Sequence, residues 1–269
     1  MAVSRFAYDD GANGLALGTA RALFFVPALF LFCRLTGRAL GVSFNQWCHT
    51  LGLGFLMGFG FYGHVGAIEF IPVGLAAILF FTFPPVIAII QAVLNRKFPG
   101  LGQLAALLVS FSGLALMLGV SFEAAAPQGI MLALGASLCV AWNTVWTTRK
   151  LSHLDGAVVV FHMGVVAAVV LGAICLVTGF AELPATSTGW MGLVLVALLQ
   201  TVSLPLFYLA LPRVGALKAA MVVNIQPVVS IVAAFVLFAE VMSPIELVGG
   251  SMVIMGIWMM QRLDKASSR

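Results

Sequence analysis

The segment AMVVNIQPVVSIVAAF, residues 220–235, carries two amides and a proline in the middle of an otherwise apolar run. Amide side chains donate and accept hydrogen bonds, so Asn224 and Gln226 are suited to bind a polar solute or to join two helices. They are two positions apart, about 200° around a helix, and therefore face different ways. We expect one of them to bind a ligand and the other to bond a neighbouring helix.

Three ionisable side chains occur in other apolar runs. Arg21 lies about seven residues inside its run, where an arginine either faces the protein interior or extends its charged end back to water. A role for Arg21 in binding or gating therefore stands beside a purely interfacial one. His64 and Glu69, five residues apart, could relay protons, or both could lie at an interface.

Three more side chains are candidates for a binding site. Trp142 and Asn143 are neighbours in one apolar run, and Gln200 lies in another. An indole offers a flat apolar face, and an amide offers hydrogen bonds to a polar solute. For each of the three, packing between helices is the alternative.

Prolines interrupt two of the apolar runs. Pro227 has no N–H group to bond Val223, and Pro84 and Pro85 leave two more carbonyls without a helical donor. In hydrocarbon such carbonyls must find another helix, a polar side chain or water in a cavity. The prolines therefore predict either kinks that let helices pack or broken helices beside a cavity.

Residues 58–63 read GFGFYG, which satisfies the dinucleotide-binding pattern GxGxxG. That pattern requires a preceding strand, and this one lies within an apolar run with no such strand. The GxxxG pair Gly54 and Gly58 indicates close helix packing instead.

The composition identifies the elements that must position these residues. Hydrophobic residues make up 62% of the 269 residues and charged residues 8%, with a mean hydropathy of +1.13. A soluble domain needs more polar surface than this, whereas a bilayer-spanning helix needs about 20 apolar residues. The chain is therefore predicted to be an all-α polytopic membrane protein. Nine spans are predicted, at 15–34, 48–70, 73–94, 102–120, 128–148, 157–180, 189–211, 214–238 and 243–261.

Basic residues follow the topology of these spans. Eleven of the thirteen lysines and arginines fall in the loops on one side, if the C-terminus lies in the cytoplasm. The formal net charge of +4 is thus a topology signal, and no nucleic-acid partner is expected. The four cysteines form no CxxC pair and have no histidine at metal spacing, so no metal site or cofactor is expected.

The sequence repeats itself at an offset of 143 residues. Residues 67–94 align with 210–237, Pro84 with Pro227, and Gly113 with Gly256. We interpret 1–120 as a first half with four helices and 128–269 as a second half with five. A unit of five crossings places its second copy upside down in the membrane, and such inverted repeats are typical of secondary transporters.

The motifs of both halves resemble one protein family. GAIEFIPVGLAAILFFTFPPVIAII, GLALML from Gly113, GASLCVAWNTVWTTRKL at 135–151, and the run from YLALPRVGALKAAMVVNIQPVV to GGSMVIMGIW are similar to the EamA-type family of the drug/metabolite transporter superfamily. The resemblance implies ten helices in two inverted halves, so the first helix is missing here. Either the start codon is placed late or this is a nine-span variant. Arg21 and Trp142 match residues common in the family.

The resemblance implies export of amino acids, related metabolites or drugs across the bacterial inner membrane by alternating access. A flippase for lipids or carrier-linked sugars is the alternative with the same fold. An enzyme acting on lipid is not expected, because no Asp, His and Lys cluster occurs at one interface. Coupling to protons through Glu69 or His64, and a homodimer, are left open.

Overall fold

The computed structural model describes residues 4–119, 126–238 and 243–267, with side chains over 6–119, 126–232 and 243–263. These residues form helices and no strand. The helices are α1 (Ser4–Asp9), α2 (Gly14–Leu35), α3 (Phe44–Gly66), α4 (Val73–Phe80), α5 (Phe83–Asn95), α6 (Leu101–Leu118), α7 (Pro127–Lys150), α8 (Gly156–Thr178), α9 (Ser187–Val214), α10 (Ala216–Val223), α11 (Ile225–Phe238) and α12 (Pro244–Ser267). A 3-10 turn, Ala67–Glu69, follows α3.

Eight segments in the described part of the chain are long and apolar enough to cross a membrane. One of them, Val73–Asn95, contains both α4 and α5. The predicted span at 214–238 is represented by α10 and α11, whose apolar part Ala216–Val232 is shorter. The protein is therefore an all-α polytopic membrane protein, as its composition predicts.

The helix boundaries repeat at the offset of 143 residues. Adding 143 to the first residues of α3, α4 and α6 gives Ser187, Ala216 and Pro244, the first residues of α9, α10 and α12. Corresponding helices are five crossings apart, so they run in opposite directions through the membrane. The inverted repeat is thus present in the helix boundaries as well as in the sequence.

Successive spans run in opposite directions, which gives the bundle two ends. We call one the Glu69 end, where α2 begins and α3 ends, and the other the Arg149 end, where α2 ends and α3 begins. The two largest apolar clusters of the described residues lie between them. One joins α2, α3, α8 and α9 around Phe25 and Met163, and the other joins α5, α6, α7, α10 and α12 around Phe83 and Leu114.

Both proline-containing spans break in the middle. Pro84 and Pro85 lie in the first turn of α5, and Pro227 lies in the first turn of α11. A helix has no partners for its first N–H groups, so proline loses no hydrogen bond there. Each proline therefore belongs to the start of a new helix rather than to the interior of a bent one.

Hydroxyl and amide side chains bond at both breaks. The Thr82 hydroxyl donates to the Leu79 carbonyl at 2.6 Å and lies 2.8 Å from Ser137 Oγ of α7. The Asn224 amide donates to Ser110 Oγ of α6 at 3.2 Å. Because hydrocarbon supplies no hydrogen bonds, the Thr82 hydroxyl stabilises the Leu79 carbonyl at the end of α4, and the two serine contacts join the breaks to α7 and α6.

Glycines allow α6 and α12 to pack at very short range. A Cβ atom on Gly113 would lie 2.6 Å from the Gly249 carbonyl oxygen, and one on Gly256 would lie 2.7 Å from Ser110 Cβ. Gly54 of α3 is similarly tight against Val166 of α8. Gly58 is less constrained, since a Cβ there would lie 3.5 Å from the Ala167 Cα, an ordinary contact.

We expect Gly113→Ala to destabilise the bundle, because the added methyl group meets backbone that cannot move aside. Overpacking of this kind costs about 1–3 kcal/mol of unfolding free energy. Gly52→Ala in α3 is the matched control, since no atom lies within 4 Å of its added Cβ. Thermal unfolding in detergent should show a lower Tm for Gly113→Ala alone. Equal Tm values for the two variants would contradict the close α6–α12 contact.

Candidate functional site

A central cavity of about 180 Å³ lies near the middle of the bundle, lined by residues of both halves. It is large enough for several water molecules or one small solute. Its polar lining consists of Arg21, His64, Asn143, Gln200, Ser203 and Gln226, and its aromatic lining of Phe61, Phe80, Phe83, Phe207 and Tyr208. The breaks of both interrupted spans reach it, because Phe80, Phe83, Val223 and Gln226 are all wall residues.

Arg21 brings a positive charge into this cavity from the second turn of α2. Only 7% of the residue is exposed, so its charged end does not extend to the surface. One guanidinium nitrogen, Nη2, donates to Oε1 of Gln200 on α9, and the guanidinium carbon lies 5.4 Å from the centre of the Phe61 ring. The buried Nε has no hydrogen-bond partner among the described residues. Arg21 therefore has a buried donor without a partner among the described residues, in a side chain that lines the cavity.

His64 reaches the cavity from the last turn of α3. Its ring stacks on Phe80, with the ring centres 3.8 Å apart and the planes 22° apart. The buried Nε2 atom has no partner within the described part of the chain. This stack joins α3 to the end of α4, at the break. A movement of either helix would therefore displace the other.

Two amides of the second half complete the polar lining. Asn143 of α7 is 3% exposed, and its Oδ1 atom has no partner among the described residues. Gln226 is exposed and borders both the central cavity and a second cavity that extends toward Glu246. An acceptor that has lost water without gaining a protein partner is costly, so Asn143 is well placed to accept a hydrogen bond from a solute.

Trp142 and Asn224, two of the sequence-predicted site residues, are not wall residues of this cavity. Trp142 is 38% exposed and stacks on Trp146, with the ring centres 5.4 Å apart. Asn224 is 2% exposed and its amide bonds Ser110. Gln226 thus lines the cavity and Asn224 bonds a neighbouring helix, and binding of a ligand by Gln226 stays a prediction.

Glu69 and His64 do not meet in one cavity. The Glu69 carboxylate accepts a hydrogen bond from the backbone N–H of Gly14, the first residue of α2. It borders a separate cavity, together with Asn13, Tyr62 and Glu182. A carboxylate is favourable at a helix N-terminus because the free N–H groups there carry partial positive charge. Among the described contacts, Glu69 thus bonds the start of α2 and not the histidine.

The chain before α2 covers the Glu69 end of the bundle. The Tyr8 hydroxyl donates to the Val65 carbonyl at 2.6 Å, and burial raises the pKa of Tyr8, which keeps this donor protonated. The Asp10 carboxylate accepts from the Thr186 N–H at 2.6 Å, and the Asn13 N–H donates to the Glu182 carbonyl at 3.2 Å. The N-terminal segment is therefore fastened to the connection between α8 and α9.

Sequence reasoning missed the aromatic part of the lining. Phe61, Phe80, Phe83, Phe207 and Tyr208 lie in apolar runs where aromatic residues also face lipid. The one available signal was their position, because Phe80 and Phe83 flank a predicted break. Ser203 was missed as well, at one turn from Gln200. No group of three or more His, Cys, Asp or Glu side chains within the described ranges is placed to hold a metal.

Comparison with known proteins agrees with this architecture. No curated protein sequence matches the chain. A solved crystal structure superposes on it with a TM-score of 0.77 at 16% identity, over 96% of this chain and 91% of the other. At that identity the likeness shows the fold alone. The model of the EamA-like transporter family matches residues 1–119 and 127–262, which confirms the resemblance drawn from the sequence. Because these two matches cover most of the chain, the protein belongs to the EamA-like transporter family.

Proposed function

We propose that the protein is a secondary transporter that moves small solutes through the central cavity. One observation carries the proposal: the cavity combines aromatic walls with buried polar atoms, on Arg21, His64 and Asn143, that have no partner among the described residues. Ligand sites are typically apolar cavities with a few polar groups of this kind. Amino acids, related metabolites and drugs are the solutes we expect, and the family resemblance is the support for export.

The two halves, 1–120 and 128–269, are the moving parts in this proposal. Arg21, His64 and Phe83 belong to the first half, and Asn143, Gln200 and Gln226 belong to the second, so the cavity lies at their boundary. Inverted-repeat transporters bind substrate at such a boundary and expose it to each side in turn. The helix breaks at 80–83 and 223–225 divide two spans into short pieces that can tilt separately.

Membrane orientation is part of the same proposal. The connections at the Arg149 end carry Arg38, Arg96, Lys97 and Arg149, and we place that end in the cytoplasm of a bacterial inner membrane. The Glu69 end then faces outward, with the N-terminal segment on it. Proton coupling through His64 would act at the central cavity, and proton coupling through Glu69 would act at the separate cavity at the Glu69 end.

We expect Asn143→Ala to slow transport by roughly 2- to 10-fold, the effect of losing one hydrogen bond to the solute. Gln226→Ala should act in the same direction. Leu138→Ala in the same helix as Asn143 is the control, because Leu138 is 54% exposed and does not line the central cavity. The measurement is uptake by proteoliposomes of a panel of labelled amino acids and aromatic carboxylates. Flux no faster than in empty vesicles for every solute would sink the proposed function.

Orientation can be tested with single cysteines in a protein whose four native cysteines are replaced. Ser152→Cys lies at the Arg149 end and Ala185→Cys at the Glu69 end, both at exposed positions. In intact cells, a membrane-impermeant maleimide should label Ala185→Cys and should label Ser152→Cys only after the cells are opened. The reverse pattern would contradict a cytoplasmic Arg149 end.

A further inference from the structure

We propose that the central cavity selects organic anions, and that the Arg21 guanidinium binds the carboxylate of a solute with a flat apolar body. This inference rests on the proposed function, because it names the class of solute that the cavity would carry. It depends on the charge of Arg21, on its free donor, and on the walls around it.

The charge of Arg21 is buried, and no negative side chain of the described residues pairs with it. Its hydrogen-bonded neighbour is the neutral amide of Gln200, and its stacked neighbour is the Phe61 ring. Among the described residues the ion pair is Arg38 with Asp155, at 2.9 Å, and it lies at the Arg149 end. Glu69 is occupied at the start of α2, about 10 Å along the helix from Arg21.

Such a charge is expensive in the absence of an anion. A cation removed from water costs several kcal/mol unless an opposite charge and hydrogen bonds compensate it. An amide and an aromatic ring compensate only a small part, since neither carries a full negative charge. An arginine inside a membrane is therefore a sign of function, and its missing partner is an anion that arrives with the solute.

The free donor of Arg21 suits a carboxylate. A guanidinium carries five N–H groups in a fixed fork that matches the two oxygens of a carboxylate. Gln200 engages Nη2, and the Nε atom is buried and has no partner among the described residues. In the proposed complex the guanidinium turns toward the solute, so that Nε donates to one carboxylate oxygen and a neighbouring guanidinium nitrogen donates to the other.

The remaining walls describe the rest of the solute. Phe61, Phe80, Phe83 and Phe207 surround the cavity with aromatic rings, which favour a flat apolar body. Asn143 Oδ1 has no partner in the described part of the chain and would accept a hydrogen bond from an N–H or O–H group of the solute. The cavity therefore favours a solute with a carboxylate, a flat apolar body and a hydrogen-bond donor. A small aromatic or branched carboxylate that carries such a donor fits within about 180 Å³.

The first test uses three probes of nearly equal shape: phenylacetate, its neutral amide phenylacetamide, and the cation phenethylamine. Binding to the purified full-length protein is measured by isothermal titration calorimetry. We expect phenylacetate to bind at least about tenfold more tightly than phenylacetamide, because charge-assisted hydrogen bonds are roughly twice as strong as neutral ones. Equal affinities for acid and amide, tighter binding of the amine, or no heat with any probe at millimolar concentration would overturn the inference.

Three variants then assign the preference to one side chain. Arg21→Gln should abolish the difference between acid and amide, and Arg21→Lys should restore a part of it, since lysine keeps the charge but loses the fork. Arg34→Gln is the control, an exposed arginine near the other end of the same helix. If Arg21→Gln does not fold, the comparison of Arg21→Lys with Arg34→Gln still decides the question. A preference for the acid that is unchanged in Arg21→Lys and Arg21→Gln would overturn the role of Arg21.

A final pair of measurements separates this inference from the proposed function and from a lipid ligand. Flux of amide and acid at equal rates in proteoliposomes would overturn the anion inference and leave the proposed transporter. Binding of the acid without any flux would overturn the proposed transporter and leave the anion site. Vesicles of phosphatidylcholine are compared with vesicles containing phosphatidylglycerol. Full loss of phenylacetate binding in the anionic vesicles would show that Arg21 holds a lipid headgroup, and the soluble carboxylate would be overturned.

Discussion

A backbone group in hydrocarbon has no water to bond, and both interrupted spans must meet that constraint at the centre of the bundle. At each break a polar side chain is held by a serine hydroxyl of a neighbouring helix, Thr82 by Ser137 and Asn224 by Ser110, and the Thr82 hydroxyl in turn bonds the Leu79 carbonyl. Ser110 belongs to α6, which packs against α12 through glycines. The close helix contact, the breaks and the cavity wall at 80–83 and 223–226 therefore depend on one another.

The two breaks occur at corresponding positions of the repeat but carry different side chains. At the offset of 143, Asn224 and Gln226 correspond to Phe81 and Phe83, and Phe81 and Phe83 are both buried. The first half thus contributes aromatic surface at its break, and the second half contributes hydrogen-bonding groups. The asymmetry is confined to the breaks, because elsewhere both halves contribute polar and aromatic residues to the cavity wall, Arg21 and His64 from the first half and Phe207 and Tyr208 from the second.

Much of the architecture follows from the sequence, because apolar runs of sufficient length leave a chain few alternatives to spanning helices. The positions of the breaks could also be anticipated, since proline at 84, 85 and 227 removes backbone donors. The direction in which a side chain faces was harder to predict from the sequence. In a membrane both the lipid side and the protein side of a helix are apolar, so Trp142 and Asn143 differ little in pattern although one is exposed and the other buried. The pairs of Arg21 with Gln200 and His64 with Phe80 join residues far apart in sequence, and no periodicity predicts them.

The hydrogen bonds between the N-terminal segment and the connection between α8 and α9 would affect the rate at which the Glu69 end opens. Asp10 and Asn13 precede the first described span and bond Thr186 and Glu182, which belong to the second half of the chain. If the halves separate at the Glu69 end, these bonds must either break or move as one piece. Residues 4–13, ahead of α2, would then set the height of a barrier to opening, although they do not line the central cavity.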